Sequence, residues 1–204
     1  MLHILTDDVI VRRPDWLDQL TSAAEHGGSM LRLHLRAPHA SGAEVFAWGA
    51  ELHERIAGSG SSLSVNDRVD VAAALGLDVH LGQRSLTVPE ARSVIGAGVV
   101  GVSCHDEAEV DAAGAAGADY VFVGPARPTH SHPGAPALGE AGVRALVDRA
   151  GRTPVIAVGG IEPSDVEAMC ALGMSGIAVI RGFWDAGDSL GALASYISAL
   201  GSAQ

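Results

Sequence analysis

The sequence predicts a single-domain α/β fold over residues 1–204: a closed (β/α)8 TIM barrel of eight parallel strands, each followed by a helix. Three observations predict it. Short β-rich runs alternate strictly with longer Ala-rich windows. The runs are rich in Val, Ile and Leu, as strands covered by helices require. Eight such units fit the 204 residues at roughly 25 residues each, with no domain linker between them. The pattern leaves an open doubly wound sheet as the alternative, although no G-x-G-x-x-G follows the first run to favour it.

Each element follows from its own residues. HILT at 3–6 is a strand-like run, and DWLDQLTSAAEHGG at 15–28 places Trp16, Leu17, Leu20 and Ala24 near helical spacing with glycine as the stop. MLRLHLR at 30–36 alternates apolar and polar residues, and AEVFAWGAELHERIAG at 43–58 reads as the next helix. LSVN at 63–66 is a strand, and RVDVAAALG at 68–76 a short helix closed by Gly76. DVHLG at 78–82 precedes VPEARSVIG at 88–96, whose proline lies near the N-terminus, where it is tolerated. VVGVS at 99–103 precedes DEAEVDAAGAAG at 106–117, whose first-turn acids suit the helix dipole. DYVFVG at 119–124 leads through a long Gly/Pro/His loop at 125–139 into the helix at 140–151. PVIAVGG at 154–160, a helix at 163–173, SGIAVI at 175–180 and a helix at 188–201 complete the series.

Composition excludes several classes of function. Acidic residues outnumber basic ones 24 to 13, a net charge of −11, which disfavours nucleic-acid and anionic-membrane surfaces. Aromatic residues are 4% of the chain, too few for a base-stacking platform. All 13 basic residues are arginine, so lysine Schiff-base and pyridoxal-phosphate chemistry are excluded. Cys104 and Cys170 form no CxxC and read as reduced thiols of a cytoplasmic protein. The first residues resemble no signal peptide, and no apolar run is long enough to span a membrane.

In such a barrel the chemistry lies at the C-terminal ends of the strands. Polar residues crowd those ends, while the strand interiors read as apolar. Strand ends also meet water, which alone accounts for many polar residues there. Gly159, Gly160, Ile180 and Arg181 follow the last two strands, where barrels of this kind bind phosphate through backbone N–H groups. Asn66 and Asp67 end the third strand; they suit Mg²⁺ or a ring amine, or they cap the next helix. The nine histidines include His34, His80, His105, His130 and His132 near strand ends, as proton carriers or as satisfied structural rings. A zinc site needs about three converging ligands, and the strand-six loop offers no carboxylate before Glu140.

At these residues the chain resembles the thiamine phosphate synthases and thiazole tautomerases. The resemblance rests on HILTDD at 3–8, HLR at 34–36, VNDRVDVAAALG at 65–76, VHLGQ at 79–83, the stretch 101–129 from GVSCHDE to GPARPT, and PVIAVGGIEPSDVEAMCALGMSGIAVI at 154–180. It implies a barrel that binds a phosphorylated thiazole at its C-terminal face, and suggests a homodimer. The synthase branch joins a pyrimidine pyrophosphate to the thiazole phosphate with Mg²⁺. Its pattern places lysines at Pro38 and His132, and a second metal carboxylate at Ser85. Arg36, Asn66, Asp67, Ser103, Thr129 and Ser131 remain as substrate contacts, Asp67 as a metal ligand for a synthase, and Arg84, Arg127 and His132 as substitutes for the lost charge.

The eroded pyrophosphate half and the short TDD start favour the tautomerase branch. That leading expectation is an isomerase shuttling a proton on the thiazole without metal or other cofactor. The tautomerase pattern carries its catalytic histidine at position 125, which is proline here. The proton carrier therefore falls to His130, His132, His105 or His34. The alternatives are a Mg²⁺-dependent thiamine phosphate synthase, a silent ligand-binding or regulatory homologue, and recruitment to another heterocycle.

Overall fold

The computed structural model describes residues 1–129 and 136–203. Eight parallel strands close into a barrel in chain order: β1 Leu2–Leu5, β2 Leu31–Leu35, β3 Ser62–Asn66, β4 Asp78–Leu81, β5 Val100–Cys104, β6 Tyr120–Val123, β7 Val155–Val158 and β8 Gly176–Val179. The ring closes where β1 pairs with β8, Leu2 opposite Ile177. Every predicted strand is present, with no end displaced by more than two residues.

Helices α1 Trp16–Gly27, α2 Gly42–Arg55, α3 Val69–Leu75, α4 Val88–Ile95, α5 Glu107–Ala115, α6 Gly139–Ala150, α7 Val166–Ala171, α8 Arg181–Trp184 and α9 Ser189–Ser202 surround the barrel. Local chemistry sets their starts. Ser41 and Glu44 form a capping box on α2, as do Thr87 and Glu90 on α4. Asp106 and Asp188 cap α5 and α9 by accepting N–H bonds from Glu109 and Gly191, both at 2.9 Å. The window 163–173 divides into a 3₁₀ turn at Pro163–Asp165 and α7. Among the described residues no helix is long and apolar enough to cross a membrane, and both cysteines are free.

Strand alternation sorts the side chains between two cores. Leu2, Ile4, Leu31, Leu33, Leu35, Val65, Val79, Leu81 and Val121 face outward into the helix layer. Leu5, Tyr120, Phe122, Ile156 and Ala178 form a second cluster inside the barrel. The expectation of apolar strand interiors is corrected here. His3, Arg32, His34, Ser64 and His80 are all buried, at the positions that alternate with the outward leucines and valines. The strands are apolar on the helix side, while inside the barrel these polar residues of β1–β4 face the apolar cluster of Leu5, Phe122, Ile156 and Ala178. Gly101 makes this interior possible: a Cβ there would lie 2.1 Å from Cζ of Tyr120, whose ring fills that space.

Candidate active site

The mouth of the barrel is built on the residues just past each strand. Thr6, after β1, is fully buried and ties two strand ends together. Its hydroxyl donates to the Arg36 carbonyl and accepts the Arg36 N–H, both at 2.9 Å. Arg36 is thereby fixed beside the mouth, and it forms no ion pair among the described residues. The neighbouring acids are committed elsewhere. Asp7 accepts from the N–H groups of Val9 and Ile10, at 3.0 and 2.8 Å, and pairs with Arg181. Asp8 pairs with His39 at 2.8 Å.

Asn66 and Asp67 do not cap α3. The Asn66 amide oxygen faces Nδ1 of His34 at 3.2 Å, and Oδ1 of Asp67 accepts the Gly82 N–H at 2.8 Å. Asp67 is the one non-glycine residue with positive φ (64°) among the described residues. That left-handed backbone is costly for a side-chain-bearing residue, and it turns the carboxylate toward the end of β4. A Cβ on Gly82 would lie 3.0 Å from that carboxylate oxygen, so glycine keeps the approach open.

Beneath the mouth lie the buried histidines. His34 meets His3 through Nε2 and Nδ1 at 2.9 Å. His80 places Nε2 2.8 Å from the Ser103 hydroxyl and Nδ1 3.2 Å from the Tyr120 hydroxyl. Burial, followed by the Arg36 and Arg32 charges, lowers the His80 pKa to about 3. Burial likewise holds His3 and His34 well below the ordinary histidine value, with the neighbouring histidines and the Arg32 charge adding to it. All three are neutral rings at pH 7. His105 stands apart at the rim, exposed, with Nδ1 3.1 Å from Glu109 and 3.2 Å from Gln83.

The phosphate candidates also meet at the mouth. Gly159 and Gly160 have φ of 96° and 65°. The loop after β6 packs directly onto them: Ala126 N–H bonds the Val158 carbonyl, Arg127 N–H bonds the Gly159 carbonyl, and a Cβ on Gly160 would sit 2.3 Å from the Pro128 carbonyl oxygen. These glycines therefore serve loop packing whether or not they bind phosphate. Ile180 ends the last strand. Arg181 opens the short helix α8, which no helical repeat in the sequence announces, and its charge is matched by Asp7. Trp184 anchors α8 by donating its indole N–H to the Leu5 carbonyl at 2.8 Å. Thr129 is the last described residue of the β6 loop. His130, Ser131 and His132 lie outside the described residues.

The structure thus gathers Arg36, Asn66, Asp67, Ser103 and His34 around one opening, with Gly159, Gly160, Ile180 and Arg181 on the opposite strands. Sequence reasoning missed the inner supports His3, Arg32, Ser64 and Tyr120. The signal that reveals them is their inward register on strands whose outward residues are uniformly apolar. A depression of about 510 Å³ lined by His53, Ile56, Gly58, Ser62 and Leu77 lies at the other end of the barrel, at the start of β3, away from this chemistry.

A model of the thiamine monophosphate synthase family matches residues 2–183. The chain belongs to that family. It is 37% identical over 203 residues to the thiamine-phosphate synthase of Salinispora tropica, covering 98% of this chain and 96% of that relative. It is 37% identical over 186 residues to the enzyme of that name from Thermus thermophilus, covering 88% and 89%. To the thiamine-phosphate synthase of Mycobacterium sp. strain KMS it is 42% identical over 147 residues, which is 71% of this chain and 62% of the relative. The match thus spans less than two thirds of that mycobacterial relative. Among solved structures, a thiamine phosphate pyrophosphorylase from Pyrococcus furiosus superposes with a TM-score of 0.85 at 25% identity, covering 99% of this chain and 96% of that one.

These findings correct the isomerase expectation. The family model, the curated relatives and the structural neighbour carry synthase or pyrophosphorylase names. The geometry agrees on one point. Pro125, at the position where the resemblance places the isomerase histidine, packs against Gly159, where a Cβ would lie 2.9 Å from the proline Cα. No imidazole stands there.

Proposed function

We propose that the chain is a transferase of the thiamine-phosphate synthase type, acting in the cytoplasm on small phosphorylated substrates. The thiazole ring nitrogen forms a bond to the exocyclic carbon of a pyrimidine pyrophosphate. The C–O bond to pyrophosphate breaks, and pyrophosphate leaves with the electron pair. The observation that carries this reading is the end-to-end match to the Salinispora tropica synthase at 37% identity.

The mouth supports each role. Arg36, with no ion pair among the described residues, offers its charge to the departing pyrophosphate. Asn66 and Ser103, on β3 and β5 either side of β4, hold the pyrimidine. The backbone at Gly160, Ile180 and Arg181 takes the thiazole phosphate, with Thr129 as a further contact.

Mg²⁺ fits this donor set in one way. Asp67 is exposed, and among the described residues only its Oδ1 has a side-chain hydrogen bond. Among the described residues no three His, Cys, Asp or Glu side chains converge on a metal. Mg²⁺ keeps waters and is held by one or two carboxylates together with substrate phosphates. Asp67 would therefore hold Mg²⁺ jointly with the pyrophosphate, where the ion neutralises leaving-group charge.

The test is pyrophosphate release from the purified chain given the pyrimidine pyrophosphate and the thiazole phosphate, with and without Mg²⁺. Release that requires both substrates and is abolished by Asp67→Ala supports the reading. No thiamine phosphate under any of these conditions overturns it.

A further inference from the structure

The turn after β7, residues 159–165, has little in its own sequence to hold its shape. Gly159 and Gly160 both have positive φ, 96° and 65°. Glycine takes that conformation without strain, and it leaves it as easily. The turn is held from outside instead. The Tyr196 hydroxyl, on α9, donates to the Ile161 carbonyl at 2.9 Å. From the β6 loop, the N–H groups of Ala126 and Arg127 donate to the carbonyls of Val158 and Gly159 at 2.9 and 3.0 Å. A Cβ on Gly160 would lie 3.0 Å from Cβ of Arg127, so the two segments are in direct contact.

The Arg127 side chain returns to the same turn at its far end. Nη2 lies 3.2 Å from Oδ1 of Asp165, and 3.7 Å from Oε1 of Glu140 in the first turn of α6. The second oxygen of Asp165, Oδ2, accepts the Glu162 N–H at 3.0 Å. Asp165 therefore joins the Arg127 charge to the backbone of the turn. Nε of Arg127 is buried and has no partner among the described residues. The arm lies against the protein, and its tip is committed to the two carboxylates.

A partly exposed ion pair adds little to global stability. Its effect here is on local shape. One residue is fixed to both ends of 159–165, by its N–H at Gly159 and by its guanidinium at Asp165. The segment between them, Gly160 included, loses freedom that its glycines would otherwise keep.

We propose that Arg127 is a positioning residue that clips the β7 turn to the β6 loop, and so preorganises the Gly159–Gly160 backbone for a phosphate. Identifying that phosphate as the one on the thiazole rests on the synthase reading; the clip itself does not. The arginines at the mouth then divide their tasks. Arg127 serves the thiazole half through the backbone and gives no charge to the departing pyrophosphate.

The test is a double-mutant cycle between Arg127→Met, which keeps the aliphatic stem, and Asp165→Asn, which keeps an acceptor for the Glu162 N–H. Amide hydrogen exchange of the ligand-free full chain reads the clip without catalysis. Protection of the N–H groups at 126 and 127 is expected to fall about two- to fivefold in either single variant, the worth of a partly exposed ion pair, and no further in the double. Unchanged protection, or two effects that multiply, overturns the proposal. In steady-state kinetics both single variants should raise KM for the thiazole phosphate by a similar factor, leaving kcat and KM for the pyrimidine pyrophosphate as they are. Arg127→Lys should move KM back toward wild type. A rise in KM for the pyrimidine pyrophosphate alone, or a fall in kcat, shows that Arg127 meets the pyrophosphate directly and overturns the clip. Reduced protection in the variants, with no thiamine phosphate from the wild-type chain, supports the clip and removes the synthase reading.

Discussion

Removing one buried histidine should flatten the acid side of the stability curve. His80 titrates near 6.5 in an unfolded chain and at about 3 in the fold, because burial disfavours its cation. A depressed folded pKa means that the unfolded chain binds the extra proton. The stability from the neutral ring is therefore fully present above about pH 6.5 and is lost as pH falls toward about 3. In that window one proton is taken up on unfolding, a slope of about 1.4 kcal/mol per pH unit. Integrated from about pH 7 to about pH 5, the loss from His80 alone is about 2 kcal/mol, since saturation begins only below pH 6.5. His3 and His34 push the same way. The assay is urea unfolding of wild type and His80→Gln at about pH 7, 6 and 5. The variant starts lower at pH 7, having lost two buried hydrogen bonds, but should lose about 2 kcal/mol less than wild type on acidification. Parallel curves for the two proteins would refute the assignment of His80 as a buried neutral ring.

Two further substitutions separate scaffold from chemistry. Gly101→Ala places a methyl inside the Tyr120 ring position, 2.1 Å from Cζ. Overpacking should cost about 1–3 kcal/mol and lower the melting temperature by roughly 2–4 °C per kcal/mol; an unchanged melting temperature counts against the packed ring. Arg36→Ala should leave the melting temperature unchanged, since Arg36 forms no ion pair among the described residues. It should cut kcat/KM for pyrophosphate release roughly ten- to hundredfold, the worth of one charge-assisted contact of about 1.5–3 kcal/mol. Equal kcat/KM in wild type and variant would remove Arg36 from the site.

The barrel was legible because its outward half is written in Val, Leu and Ile at period two, and its helices carry their own stops and caps. Gly76 ends α3 with φ of 66°, and Asp106 opens α5, both as the residue types require. What escaped notice had no period to betray it. α8 is four residues long, too short for a helical repeat, and is held by Phe183 and Trp184 burying under the barrel rim. The polar interior escaped because alternation shows that two faces differ without saying which faces the barrel axis. LRLHL at β2 reads as half-exposed, yet all five residues are buried, the leucines against helices and Arg32 and His34 inside. Asn66 and Asp67 sit where a cap would, and only the backbone at Asp67 shows that their side chains turn toward β2 and β4 instead.

The missing lysines pose a problem of charge, and the structure narrows how this chain meets it. All 13 cations are arginines, and most are already matched. Arg127, one candidate substitute, lies 3.2 Å from Asp165 and 3.7 Å from Glu140. Arg181 is matched by Asp7. Moving either onto a pyrophosphate leaves a carboxylate behind, so the net gain in positive charge is small. Arg36 and Arg84 differ: neither forms an ion pair among the described residues, and both follow strands that end at the mouth. Arg84 stands beside Ser85, where the resemblance places a second metal carboxylate, and two residues past Gly82, which holds the Asp67 carboxylate. On the synthase reading, a guanidinium there would add positive charge on the same side of the opening as the Mg²⁺ that Asp67 would hold, and a guanidinium reaches phosphate oxygens in bidentate fashion. On the synthase reading, Arg36 and Arg84 are then the residues that would meet the pyrophosphate in place of lysine, and a double Arg36→Ala/Arg84→Ala variant that still releases pyrophosphate at the wild-type rate would refute it.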